Sequence, residues 1–236
     1  MDEPLGKLRS ILSDLDSVLI AFSGGLDSTF LLHIAHEVLG ERAQALTFVS
    51  PFLSQRERIC ATTFCEKKRI KQILLQVNPL ELPQIRRNPP DRCYHCKRYL
   101  FSRGVAKAGE LGVPHLVEGS QLSEAAEHRP GREALRELNI RSPLLEAGLD
   151  KEHIRRLSRH LGLESWNLPP MACLASRIPY GIGLDPQKLA RVEAAEQFLF
   201  NEGFRVVRVR EIQDSARVEL ALDELGRLVE EDLRQR

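Results

Sequence analysis

The residues of this chain that could do chemistry fall in four short stretches. Ser23-Gly24-Gly25-Leu26-Asp27-Ser28 follows the apolar run Val18 to Phe22 and precedes Phe30, Leu31, Ile34, Ala35 and Val38, which recur at helical spacing. Two glycines let a backbone take unusual dihedrals and approach a ligand closely, and a helix opening at Asp27 and Ser28 offers free N–H groups and the positive end of its dipole. An anion, a phosphate above all, belongs in such a turn, although a plain strand-to-helix turn capped by Asp and Ser would use the same residues. Cys93 and Cys96 form a C-x-x-C pair behind the double proline Pro89-Pro90. At i, i+3 both sulfurs lie on one helix face within its first turn, where the dipole favours the thiolate. The pair is half a metal site; a redox dithiol or two packed cysteines fit it as well. Cys173 sits in the proline-flanked, aperiodic stretch Leu168 to Gly181, with Ser176 and the fixed cation Arg177 close behind, as a reactive thiolate or as a third ligand beside Cys93 and Cys96. Last, Arg208 and Arg210 share one face of a strand, where two guanidiniums repel unless an anion lies between them or the face is simply solvated.

What must position these groups is an alternation of strands and helices. Leu5 to Leu15 reads as a helix, Val18 to Phe22 as a strand, and Ala43 to Val49 as a second strand running into Ser50-Pro51. Ser54 to Lys68 is a helix carrying Cys60 and Cys65, which at i, i+5 share no face and read as packing residues. Ile70 to Val77 and Leu116 to Glu118 are two further strands, and Lys151 to Leu161 is a helix after an Asp150 cap. Such alternation predicts an α/β fold with a doubly wound parallel sheet over residues 1–167. Ligands of a parallel sheet sit beyond the carboxyl ends of its strands, so Thr47 to Ser50 is predicted to lie near a nucleotide's base. Residues 168–236 hold the cysteine loop and a small C-terminal α/β unit for substrate or oligomer contacts: a helix over Gln187 to Asn201, strands Phe204 to Arg210 and Ala216 to Leu220, and a charged helix from Leu222. That unit is too short to stand alone and must pack on the first domain or on another subunit.

Composition bounds the function. With 236 residues, 42% of them hydrophobic, the chain can bury one core plus a small appended unit. A net charge of +1 gives no field that calls for nucleic acid. No apolar run approaches the ~20 residues of a membrane span, and Met-Asp-Glu-Pro lacks a signal peptide's basic start, so a soluble, cytoplasmic protein is predicted. Five cysteines, an odd number without an export signal, argue for metal binding or thiol chemistry over a disulfide framework.

The Ser23 to Ser28 turn lacks the Gly-Lys-Ser/Thr ending of a P-loop and the Gly-x-Gly-x-x-Gly of a dinucleotide site. It resembles instead the PP-loop of the ATP pyrophosphatases, of the adenine nucleotide alpha-hydrolase-like group, which release pyrophosphate and leave AMP on a substrate oxygen. Together with Asn88-Pro-Pro-Asp-Arg-Cys-Tyr-His-Cys-Lys97, His128 to Gly131, Arg141 to Leu144 and Ala172-Cys-Leu-Ala-Ser-Arg-Ile-Pro-Tyr-Gly181, it makes the sequence from Val18 to Leu220 resemble the LarE family. These are ATP-dependent sulfur transferases of nickel-pincer cofactor assembly for lactate racemase. The resemblance implies ATP and Mg, with Ser23, Gly24, Gly25, Asp27 and Ser28 at the nucleotide, and adenylation of a carboxylate on a pyridinium dicarboxylate mononucleotide derived from nicotinic acid adenine dinucleotide. It implies catalytic roles for Cys173, Ser176 and Arg177, and substrate contacts, to phosphate among them, from Glu196, Arg208 and Arg210. In one branch of the family the loop cysteine gives up its own sulfur and becomes dehydroalanine; in another, three cysteines hold a [4Fe-4S] cluster whose open iron carries a transferable sulfide. Cys93, Cys96 and Cys173 place this sequence with the second. A sulfide or sulfur donor, other nickel-pincer biosynthesis proteins and a homo-oligomer are the partners implied. The sequence departs from its relatives at Glu118 to Glu124, where they carry an Asp-Gly-Thr-Asn start and paired aspartates, and at its end, where they continue through another strand, so the small unit is expected to be incomplete or differently assembled. A tRNA thiolation enzyme shares the PP-loop and cysteines but needs a basic RNA-binding face. A non-catalytic nucleotide scaffold with structural zinc on the three cysteines is the reading from another class.

Overall fold

In the computed structural model, residues 3–125, 130–213 and 215–230 are described. Helix α1 (Glu3–Asp14) buries Leu8 and Leu12 and leads into β1 (Val18–Ala21), α2 (Leu26–Leu39), β2 (Ala43–Val49), α3 (Gln55–Lys68) and β3 (Gln72–Gln76). A one-turn helix, α4 (Pro83–Arg86), precedes the long α5 (Arg92–Glu110) and the short β4 (His115–Val117). The four strands are parallel in the order β3-β2-β1-β4, with Val18 opposite both Ala43 and His115. The chain steps outward from β1 to β3 and then returns to the other side of β1, so a crevice opens between the carboxyl ends of β1 and β4.

Both faces of the sheet are covered, as alternation along β1 requires. Val18 and Ile20 point to one face and pack with residues of α1, α2, α3 and, farther on, of α9 (Lys151–His160). Leu19 and Ala21 point to the other, against Phe101 and Ala108 of α5 and Leu135 of α7 (Pro130–Glu137). Between β4 and α9 the chain also forms two single turns, α6 (Leu122–Ala125) and α8 (Pro143–Glu146). The α/β class and parallel sheet expected from the sequence are therefore present. Of the motif His128 to Gly131, His128 and Arg129 lie outside the described residues.

Of the boundaries that differ from the sequence reading, two have clear local reasons. The third strand starts at Gln72, because Arg69 caps α3 in the left-handed region at φ 56° and Ile70 N donates back to Cys65 O, so Ile70 belongs to the turn. From Leu222 the chain forms a 3₁₀ segment, Leu222–Val229, and no α-helix. Gly226 weakens α-helix there, and Glu224 turns inward to accept from Arg205 N at 3.1 Å, which fixes the tighter turn; residues 231–236 lie outside the described residues.

After a 3₁₀ turn at Glu164–Asn167 comes the cysteine loop, with its own turn at Leu174–Arg177, then α10 (Pro186–Asn201), whose N-cap Asp185 accepts from Gln187 N and Lys188 N. Strands β5 (Val207–Ile212) and β6 (Ser215–Leu220) form an antiparallel hairpin over α10. Leu189 and Val192 of α10 pack with Leu174, Ile178, Phe52 and Ile85, so the C-terminal unit docks on the first domain through the cysteine loop. Among the described residues no helix is long and apolar enough to cross a membrane.

Candidate functional site

The turn after β1 is shaped by close approach. Gly24 has φ +78°, and a Cβ there would stand 3.0 Å from Ala61 N on α3, so no other residue sits there without strain. On the other flank, a Cβ at Gly119 would stand 3.1 Å from Ser28 N, so the loop after β4 lies directly on the start of α2. Within the turn Ser23 Oγ and Ser28 Oγ are 3.1 Å apart, and Ser28 Oγ donates to Gly25 O at 3.3 Å. The first-turn amides of α2 and both hydroxyls thus converge on one spot, as a phosphate site needs.

Asp27 stands beside that spot. Its Oδ1 is buried without a hydrogen-bond partner, and Oδ2 is 4.0 Å from Lys151 Nζ. Burial raises its carboxyl above the usual range, with Lys151 pulling the other way. An orphaned, desolvated carboxylate oxygen is the donor a hard cation such as Mg takes, and here the residues fit the ion.

A cavity of about 650 Å³ extends from this turn along the crevice. Ser23, Gly25, Asp27 and Ser28 line one end, Thr47, Phe48 and Ser50 line part of its wall, and Cys96 and Cys173 line it farther along. Lys97, Lys151 and Arg155 also face it. Sequence reading assigned these three cations no role; Lys97 next to Cys96 and Lys151 behind the Asp150 cap were the signals at hand. In the departing segment, Glu118 is caged by Ser120 N (2.9 Å), Ser120 Oγ (2.8 Å) and Ser142 Oγ (2.5 Å), with Lys97 Nζ at 3.8 Å. Its carboxylate shapes the loop that presses on α2.

The two cysteine segments are bolted together by Asn88 and Arg92, both buried. Asn88, left-handed at φ 56°, donates from Nδ2 to Pro179 O (2.8 Å) and Ile182 O (3.1 Å), and its own carbonyl accepts from Gly181 N at 2.9 Å. Arg92 Nη1 donates to Asn88 Oδ1 at 2.5 Å and to Ala175 O at 2.9 Å, while Nη2 lies 3.8 Å from Cys93 Sγ. Cys93, Cys96 and Cys173 become electrostatic neighbours in this way: burial pushes the Cys96 thiol up to about 12, and its two cysteine neighbours add to that. Cys173 is open to the cavity, yet enough protein surrounds it for desolvation to raise its thiol as well, against the pull of Arg92. Cys93 is exposed. Among the described residues no three His, Cys, Asp or Glu side chains stand in ligand geometry. Three thiols are soft donors of the kind an iron–sulfur or a zinc site uses, but the described residues do not present them in ligand geometry.

Arg177 and Glu196 point inward. Arg177 Nε and Nη2 reach Glu196 Oε1 and Oε2 at 2.8 and 3.1 Å, and Nη1 donates to Ala172 O (2.7 Å) and Ser176 Oγ (3.0 Å). Glu196 Oε1 also accepts from Val209 N at 2.9 Å. This buried pair ties the cysteine loop to α10 and β5, with both carboxylate oxygens engaged. Arg210 is engaged too, with Glu219 at 2.8 Å and Ser176 O at 2.8 Å. Among the described residues Arg208 makes a single hydrogen bond, 3.3 Å to Pro170 O, and lines a second, smaller cavity behind the strap Leu168 to Ala172. Of the two cysteines read as packing residues, Cys65 is buried with its thiol pushed up to about 12, whereas Cys60 is half-buried and lines that smaller cavity.

No protein-family model matches the chain. It is 35% identical over 220 residues to the pyridinium-3,5-bisthiocarboxylic acid mononucleotide synthase of Lactiplantibacillus plantarum, covering 93% of this chain and 80% of that one. It is 38% identical over 231 residues to an uncharacterised protein of Synechocystis, covering 98% of this chain and 86% of the relative. An uncharacterised protein of Methanocaldococcus jannaschii is 27% identical over 215 residues, 91% of this chain and 81% of its own length.

Proposed function

The chain belongs to the LarE family, and from that premise we propose that it is a sulfur-transferring synthase that turns a carboxylate of a pyridinium dicarboxylate mononucleotide into a thiocarboxylate at the expense of ATP. One observation carries this reading: a single cavity is lined at one end by the phosphate-binding turn and farther along by Cys96 and Cys173. Activation of a carboxylate and delivery of sulfur need that adjacency.

In this reading the α2 amides with Ser23 and Ser28 hold the phosphates, Asp27 holds Mg through its orphaned oxygen, and Lys97, Lys151 and Arg155 balance charge along the cavity. A substrate carboxylate oxygen attacks the α-phosphorus, the α–β bridge breaks, and pyrophosphate leaves. A sulfur nucleophile at Cys173 adds to the acyl carbon of the adenylate, and AMP carries off the electron pair of the broken C–O bond. Arg177 and Ser176 act as positioning residues that hold the loop around Cys173. Cys93, Cys96 and Cys173 would hold a [4Fe-4S] cluster, which supplies a replaceable sulfide so that no side chain is consumed.

Iron and sulfide analysis of anaerobically prepared protein, with intact mass before and after turnover, tests the reading. The expected result is pyrophosphate release that depends on the pyridinium mononucleotide, iron with inorganic sulfide, and an unchanged protein mass. A loss of roughly 34 Da, the H₂S removed when cysteine becomes dehydroalanine, would replace the cluster by a single-use cysteine. No nucleotide turnover with any pyridinium carboxylate would sink the substrate class.

A further inference from the structure

The strap Leu168 to Ala172 is a wall shared by the two cavities, and all five of its residues line both. It is held at alternate carbonyls: Arg208 Nη2 donates to Pro170 O at 3.3 Å, and Arg177 Nη1 donates to Ala172 O at 2.7 Å. Pro169 and Pro170 fix two of its φ angles, which leaves little slack in the backbone. Just beyond it, Cys173 O accepts from Ser176 N at 2.9 Å and Leu174 N donates to Phe52 O at 2.9 Å. The residue between the two held carbonyls is Met171. Its Sδ lies 3.7 Å from where a Cβ on Gly25 would stand, so the sulfur borders the turn proposed to hold the phosphates. One half-buried thioether therefore joins that turn to the loop that carries Cys173, two residues on.

The chemistry of the side chain suits a shield. A thioether is a weak acceptor and no donor, so it takes none of the hydrogen bonds that a phosphate needs from the α2 amides and the serine hydroxyls. It is flexible and polarisable, which lets it close an irregular gap. What it would keep out is water. When water reaches an acyl adenylate, its oxygen joins the acyl carbon and AMP leaves with the electron pair of the C–O bond. The two protons of the water pass to solvent, the carboxylate returns unchanged, and ATP is consumed without sulfur transfer.

We propose that Met171 is a positioning residue that seats the cysteine loop on the phosphate turn and excludes water from the adenylate. The assignment rests on the function given above. Pyrophosphate release and thiocarboxylate formation, measured together on wild type, Met171→Leu and Met171→Ala, test it. Met171→Ala is expected to release pyrophosphate near the wild-type rate, while the thiocarboxylate formed per pyrophosphate falls roughly tenfold. Met171→Leu keeps the bulk and should restore the wild-type ratio. An unchanged ratio in Met171→Ala, or an equal loss of both products in the folded variant, overturns the proposal. A second measurement needs neither variant nor turnover. Hydrogen peroxide gives one oxygen to a thioether and leaves as water, adding roughly 16 Da. The chain has two methionines, Met1 and Met171, so peptide mapping reads Met171 by itself. Bound inorganic pyrophosphate is expected to slow the oxidation of Met171 severalfold, and equal rates with and without it overturn the contact. Wild type that releases no pyrophosphate with the pyridinium mononucleotide removes the proposed function; slowed oxidation then still keeps Met171 at the phosphate turn, and unslowed oxidation removes it.

Discussion

Gly24 and Gly25 are neighbours with different work. Gly24 is held at positive φ against the α3 backbone, so Gly24→Ala is expected to cost on the order of 1–3 kcal/mol in thermal or denaturant unfolding. Gly25 has φ −74° and ψ 171°, which any residue adopts, and a Cβ there meets nothing nearer than Ser23 Oγ at 3.4 Å. Gly25→Val should therefore fold normally and lose pyrophosphate release, because its side chain would fill the place proposed for the phosphate; an unfolded Gly25→Val, or one with intact ATP turnover, contradicts this assignment. Residue types and spacing made the turn legible. They gave no sign that Arg177 and Glu196 would be each other's partners, since a guanidinium looks the same in sequence whether it faces a ligand or a carboxylate 19 residues on. Asn88 was unreadable for the same reason: its side chain's four partners are three carbonyls and a guanidinium brought there by folding.

At the scale of elements, α2 and the Asn88–Arg92 latch make separate predictions. His33 on α2 is buried, and that burial lowers its pKa below the ordinary 6.5, against the pull of Glu37 and with Lys68, His36 and Arg9 adding to the lowering. Folded protein thus binds fewer protons than unfolded protein between the depressed value and the ordinary one. Stability rises with pH through that window, and the penalty is full below it. His33→Gln should lose less stability than wild type as pH falls from about 7 to about 5, and parallel unfolding curves would refute the point. The latch works on geometry: Asn88→Ala removes the Nδ2 donors that the Ile178, Pro179 and Ile182 carbonyls share. Sulfur transfer should drop at least tenfold while ATP binding, assigned under the proposed function to the turn after β1, stays close to wild type. Strands were the clearest elements to read, because β1 and β2 are β-branched or apolar runs between turn signals; the 3₁₀ segment at Leu222–Val229 was misread because its charge pattern suits a helix and its fixed point, Arg205, lies outside it.

For the whole molecule, the cysteine loop is tied to α10 and β5 by the buried Arg177–Glu196 pair and by the Arg210 hydrogen bond to Ser176 O. Removing one partner of a buried pair strands the other charge, so Arg177→Ala should cost about 3–5 kcal/mol, whereas an Arg177→Met, Glu196→Leu double variant should recover much of that loss. If the double variant is as unstable as the single one, the pair is not what holds the cysteine loop to α10 and β5. The doubly wound sheet followed from alternation alone, but the docking of α10 on the cysteine loop did not, because both surfaces are short apolar stretches that name no partner.

The latch also orders events in time. Asn88 and Pro179 are 91 residues apart, and Cys173 leaves the ribosome long after Cys93 and Cys96. At roughly 5–20 residues per second, several seconds pass in which the sheet strands and the phosphate turn have been made but the third thiol has not. On the proposed function, the residues assigned to the nucleotide's phosphates are made before the last residue assigned to sulfur, so a cluster or sulfur donor would be received only after Cys173 has emerged.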